Sequence, residues 1–94
     1  MPCVIRKHVG EAPEFEAELA GEEWKLAPQV EALEDWLRQN ADRINRNYRW
    51  TADIGFGYRA DAGGGGAAIT PKLMRMCLDC NVELFLSEYP VEAK

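Results

Sequence analysis

The chain has one histidine, His8, and one serine, Ser87, so most of the usual stock of nucleophiles and bases is missing. A serine–histidine pair would have to join one end of the chain to a serine in strand-like sequence with no GxSxG elbow around it, which argues against that chemistry. Long apolar runs are also lacking: nothing approaches the roughly 20 residues that span a bilayer. Residues 1–8 have neither the apolar core nor the small-residue cleavage site of a signal peptide. A soluble, cytoplasmic protein with no membrane partner is expected. Three cysteines, an odd number, then suggest reduced thiols and not a disulfide framework.

Positive charge is scarce as well. Eleven Lys and Arg face sixteen Asp and Glu, a formal net charge of −5, and that field repels phosphate backbones. Direct nucleic-acid binding is disfavoured. The acids are unevenly placed: Glu11, Glu14, Glu16, Glu18, Glu22 and Glu23 fall in one stretch without Lys or Arg. Such a run is ordinarily a solvated face; its sharper meaning is a patch, centred on Glu14, Glu16, Glu18, Glu22 and Glu23, that docks on a basic protein partner.

What is present is a regular alternation of strand and helix signals. Ninety-four residues, 47% hydrophobic and 29% charged, make one ordinary domain with a single core and no separate catalytic lobe. Residues 3–9 form a plausible first strand. Phe15, Ala17 and Leu19 alternate with Glu14, Glu16 and Glu18; Ala20-Gly21-Glu22 supplies a turn, and Trp24 and Leu26 resume the pattern, so the spacing predicts a hairpin over residues 14–27. Pro28 suits the first turn of a helix. Val30, Leu33, Leu37, Ala41, Ile44 and Tyr48 then form one stripe at spacings of three and four, predicting a helix over 28–47 with Asn45 and Asn47 as left-handed exit residues. Pairs Glu34 with Arg38 and Asp42 with Arg46 have the helical i,i+4 spacing.

The clearest segment begins at Trp50. Trp50, Ala52, Ile54, Phe56 and Tyr58 alternate with Thr51, Asp53, Gly55, Gly57 and Arg59, the pattern of a strand with one apolar face and one nearly bare one. Residues 60–69 read as loop. Thr70 is placed to cap a helix over 71–80 that begins at Pro71, buries Leu73, Met74 and Cys77, and ends at Asn81. Val82, Leu84 and Leu86 alternate with Glu83, Phe85 and Ser87 in a last strand. The expected fold is α+β: two layers, a mainly antiparallel sheet of four to five strands with both helices on one face.

Several groupings invite chemistry. Gly63, Gly64, Gly65 and Gly66 lie between strand and helix, where N–H groups can cradle an anion. The spacing matches no phosphate-loop pattern, Pro71 removes a donor and Asp61 adds negative charge, so a flexible surface loop fits better. Cys77 and Cys80 have CxxC spacing at the carboxyl end of their helix, where the dipole opposes a thiolate, and zinc would need two further ligands from Cys3 and His8 alone. A buried structural Cys77 and no metal or cofactor are expected. Asp53 and Glu83 would share the second sheet face if their strands are neighbours. Gly55 and Gly57 leave a groove on that face, which close helix packing or a bulge explains at least as well as ligand access, and any small ligand bound there would meet Asp53, Arg59, Asp61, Gly64 and Gly65.

Residues 22–90 resemble a bacterial family known as domain of unknown function 4279. The likeness rests on Glu23-Trp24-Lys25-Leu26, on Leu33-Glu34-Asp35-Trp36-Leu37, on Asp53-Ile54-Gly55-Phe56, on the glycine loop with Ile69-Thr70-Pro71, and on Leu84 through Tyr89-Pro90. It implies a small α+β domain and carries over no catalytic residue. Two functional expectations result: an interaction module of inhibitor, immunity or accessory-subunit type, and, of another class, a small-ligand or hydrolytic domain around Asp53, Arg59 and the glycine loop. A homodimer through an exposed strand edge is the structural alternative.

Overall fold

The computed structural model describes residues 2–58 and 66–90. Strands β1 (Cys3–Val9) and β2 (Ala12–Leu19) are followed by helix α1 (Leu26–Asn40), a 3-10 turn (Ala41–Arg43), strand β3 (Arg49–Tyr58), helix α2 (Pro71–Cys80) and strand β4 (Val82–Pro90). They form an α+β fold with one four-stranded sheet in the order β2-β1-β3-β4. The sheet is mixed: β1 pairs antiparallel with β2 and β3, while β3 and β4, joined through α2, run parallel.

One core holds the two layers together. Ile5, Ala52, Ile54, Trp50 and Cys3 from the sheet meet Val30, Leu33 and Leu37 of α1 and Leu73 and Cys77 of α2, so both helices cover the same sheet face. α1 touches β2 and β3, and α2 touches β4. Among the described residues, no helix is long and apolar enough to cross a membrane.

The ends of α2 follow their side-chain chemistry. The Leu73 N–H donates to Thr70 Oγ1 at 3.1 Å, Pro71 occupies the first turn, and Asn81 closes the helix at φ 60°, ψ 42°, its N–H donating to the carbonyls of Cys77 and Leu78. The Asn81 amide also donates to the Tyr48 carbonyl at 2.7 Å, tying the exit of α2 to the entry of β3.

Other boundaries differ from the sequence expectation. The hairpin is not residues 14–27 but β1 with β2: Gly10, at φ 64°, takes the left-handed position that a two-residue loop requires. Ala20 and Gly21 are also left-handed, yet the chain turns there into α1, whose first residue is Leu26. A bulge between Ile5 and Arg6 leaves Glu16 as the extra residue, which breaks the alternation read for β2. Ala17 and Leu19 pack on the core, while Phe15 is turned to the opposite face and is 62% exposed. α1 ends at Asn40 through the 3-10 turn, and Asn45 is not left-handed; its Oδ1 accepts the Asn47 N–H at 2.9 Å in a side-chain turn. Glu34 pairs with Lys72 of α2 and Arg38 with Asp35, so each takes a different partner from the i,i+4 one.

Candidate functional site

Because side chains alternate across a strand, the helix layer takes one parity of each strand and leaves the other parity facing away. On β1 the outward set is Val4, Arg6 and His8; on β3 it is Arg49, Thr51, Asp53, Gly55 and Gly57; on β4 it is Glu83, Phe85, Ser87 and Tyr89. The register aligns them in rows: His8 beside Arg49, Arg6 beside Thr51 and Thr51 beside Glu83, Val4 beside Asp53 and Asp53 beside Phe85. β2 adds Pro13 next to His8 and Phe15 next to Arg6.

These rows enclose an open concavity of about 480 Å3 lined by Arg6, His8, Arg49, Thr51, Asp53 and Glu83, with Pro13 and Phe85 at its sides. Two chains of polar contacts cross its floor. In the first, Ser87 Oγ donates to Asp53 Oδ1 at 2.7 Å, and Arg6 Nη1 lies 3.7 Å from Asp53 Oδ2. In the second, Arg49 Nη2 is 3.3 Å from His8 Nδ1, and His8 Nε2 is 3.1 Å from Thr51 Oγ1. A guanidinium only donates, so Nδ1 accepts and the ring proton sits on Nε2, donating to Thr51. The floor thus carries two guanidiniums against two carboxylates, with exposed Phe15 and Phe85 on opposite sides.

Asp53 and Glu83 do come from neighbouring strands and share this face, one register step apart. Asp53 is engaged by Arg6 and Ser87, so the two carboxylates are held differently. The glycine part of the face is less bare than its sequence suggests. Gly55 donates to the Pro2 carbonyl and accepts from Gln29 Nε2 at 2.6 Å; Gly57 donates to the Trp24 carbonyl at 3.1 Å. Tyr89 lies opposite Gly57, and its ring meets Trp24 edge-on at 5.5 Å, spanning the strand where no side chain stands. Arg59, Asp61, Gly64 and Gly65 lie outside the described residues.

The acidic run is divided between surfaces. Glu14 and Glu16 flank Lys7 at 3.9 and 3.7 Å, on the side where the Lys7 ammonium also sits over Tyr48 and Trp50. Glu18 stands next to Val4 on the helix-free face. Glu22 and Glu23 are in the turn before α1, where Glu23 Oε2 accepts the Lys25 N–H at 3.0 Å.

All three cysteines are buried and free. Burial pushes the Cys3 thiol up to about 12, with the Asp53 charge adding to it, and the Cys77 thiol up to about 11, with Cys80 adding. Both stay protonated at neutral pH, the opposite of what an attacking or metal-binding thiolate needs.

Arg6, His8, Arg49 and Thr51 carry no motif in the sequence. Their signal is only the off-core parity of two strands some 40 residues apart, and it becomes a site once β1 and β3 are known to be neighbours. Comparison with family models, curated proteins and solved structures returned no match to this chain.

Proposed function

We propose that the chain is a small non-enzymatic interaction module that binds another protein through the helix-free face of its sheet. The observation that carries this is the concavity where Arg6, His8, Arg49, Thr51, Asp53 and Glu83 converge between exposed Phe15 and Phe85. Arginine and aromatic side chains are the types that anchor protein interfaces, and mixed charge sets register and selectivity more than bulk affinity. Glu18 extends the surface on one side. Glu14 and Glu16 beside Lys7, and Glu22 and Glu23 in the turn before α1, add two separate acidic clusters suited to basic groups on the same partner.

A concavity of this size also lies in the range that small ligands occupy, and two guanidiniums beside a hydroxyl favour an anionic one. One experiment separates the two. Tagged protein is used to capture partners from its host, alongside Arg49→Glu, Phe15→Ser and a triple reversal of Glu14, Glu16 and Glu18 to Lys. The expected result is a partner retained by the parent chain and lost with Arg49→Glu and Phe15→Ser. Identical recovery from all variants refutes the protein-binding role, and a melting-temperature rise with small anions, absent in Arg49→Glu, then assigns the face to a ligand.

A further inference from the structure

The outer edge of β4 is unlike the outer edge of β2. Trp50 N–H donates to the Asn81 carbonyl at 3.0 Å, which sets the parity of the β3–β4 ladder: odd-numbered residues of β4 turn their backbone groups to β3. Val82, Leu84, Leu86 and Glu88 therefore present N–H and C=O outward, and β4 is last in the strand order among the described residues. An open edge of this kind recruits another strand unless it is guarded. β2 is guarded by Pro13, by Glu14, Glu16 and Glu18, and by its bulge. β4 has no Lys or Arg and no proline before Pro90, and it exposes Phe85 at 58% and Leu86 at 54%.

The helix above this edge continues the apolar surface. α2 buries Leu73, Cys77 and Cys80, and Lys72 on one flank reaches Glu34 of α1. Met74 and Leu78, four residues apart, occupy the other flank, away from α1, and are 51% and 78% exposed. Leu78 borders Val82 and Glu83 in a shallow cleft, which places this flank along β4.

We propose that this surface is covered by a second copy of the chain, β4 pairing antiparallel with its own mate about a two-fold axis at Phe85. The apolar run Leu84-Phe85-Leu86, with Glu83 on one side and Ser87 and Glu88 on the other, is a pattern that a two-fold pairing matches to itself. With the axis at Phe85, Phe85 faces its mate, Leu84 faces Leu86, Glu83 faces Ser87 and Val82 faces Glu88, so no carboxylate opposes another. An axis at Glu83 or Glu88 would set each carboxylate against itself, and one at Leu84, Leu86 or Ser87 would set a carboxylate against the Leu84–Leu86 run. Only a self-complementary patch can form an isologous dimer, and this register makes the patch self-complementary on both faces. Met74 and Leu78 of the two α2 helices then line the seam in the helix layer. On the other side the two helix-free faces join into one eight-stranded platform, in which each concavity has a second Phe85 at its rim.

Sedimentation and directed cross-linking test this together. The parent chain is expected at twice the 10.6 kDa of one copy. Leu86→Lys and Leu78→Lys, both at exposed positions and checked for unchanged melting, should sediment as monomers. In the proposed register Phe85 occupies a non-hydrogen-bonded pair with Cα atoms about 4.5 Å apart, within disulfide reach. Phe85→Cys should therefore oxidise to a covalent dimer faster than Ser87→Cys, while the buried native cysteines of the parent chain give none. A parent chain that is monomeric at every concentration overturns the proposal and leaves the edge to a strand from another protein. A dimer that survives both Lys variants, or equal cross-linking at positions 85 and 87, overturns it as well.

Discussion

Gln29 is the one fully buried polar side chain among the described residues, and it tests whether the tie between α1 and β3 stabilises the fold. Its Nε2 donates to the Gly55 carbonyl at 2.6 Å and to the Lys25 carbonyl at 3.1 Å, while its Oε1 has no partner among the described residues. Gln29→Leu keeps the volume and removes both bonds. The Gly55 carbonyl is then buried without its donor, a cost of about 1–3 kcal/mol. Lys25 loses less, because a carbonyl at the helix N-cap already accepts the first intrahelical bond. Removing the unpartnered Oε1 returns part of the cost, leaving a net loss of about 1–2 kcal/mol. For a domain of this length that lowers the melting temperature by about 5–15 °C.

Gln29→Glu sharpens the test. It exchanges the donor for an acceptor, so an ionised carboxylate would face two carbonyls in the core, and the folded state favours the protonated acid. The folded pKa at position 29 is then raised above the unfolded one. The contribution is fully present below the unfolded carboxyl range and is lost as pH rises through the folded value. Urea unfolding of the parent, Leu and Glu chains between acid and neutral pH reads this directly. At neutral pH the Glu variant should be the least stable, and it should recover relative to the parent as pH falls. A Leu variant as stable as the parent, or a Glu variant that parallels the Leu variant at every pH, would refute the account of the Gly55 bond.

The caps and the thiols give two further outcomes. Thr70→Ala removes the acceptor for the Leu73 N–H and should cost about 1 kcal/mol, with faster hydrogen exchange at Leu73, while Thr70→Ser restores both; unchanged exchange would show that the cap is not formed. Cys3 and Cys77 should resist thiol reagents at mildly alkaline pH until denaturant is added. Their folded pKa values, about 12 and about 11, lie above the ordinary 9.0, so the unfolded chain loses protons first. Their stabilisation is complete below pH 9 and declines as pH rises toward 11 and 12, which melting curves with and without Cys3→Ala would detect.

Much of the fold is legible in the sequence because its signals are local. Thr70, Pro71 and Asn81 mark the two ends of α2 by side-chain geometry alone, and the alternation through Trp50, Ala52 and Ile54 marks β3 with its buried face. The partner of β2 is not legible in this way. Gly10 and Gly21 are both turn signals, and Leu26, which continues an alternation begun at Trp24, is also the first residue of a helix stripe through Val30 and Leu33. Choosing between them depends on whether β2 pairs with β1 or with the segment around Trp24, a tertiary matter. The bulge at Glu16 is hidden for a related reason: a period of two reports parity but not where one extra residue is inserted. That single residue sends Phe15 to the helix-free face and Glu14 toward Lys7.

The same limit explains why the site lies elsewhere along its own face than the sequence suggests. Asp53, Gly55 and Gly57 point to an opening toward the carboxyl end of β3, since glycines leave space above a sheet. In the structure Trp24 and Tyr89 close over Gly57, and Gly55 is held by Pro2 and Gln29. The glycines serve close approach of rings and backbone, and the open floor lies nearer the middle of the strand, at Thr51 and Asp53. There the register brings in Arg6 and His8 from β1 and Glu83 and Phe85 from β4. The proposed protein-binding role therefore rests on residues that only the register brings together, and not on the glycines that the sequence offers.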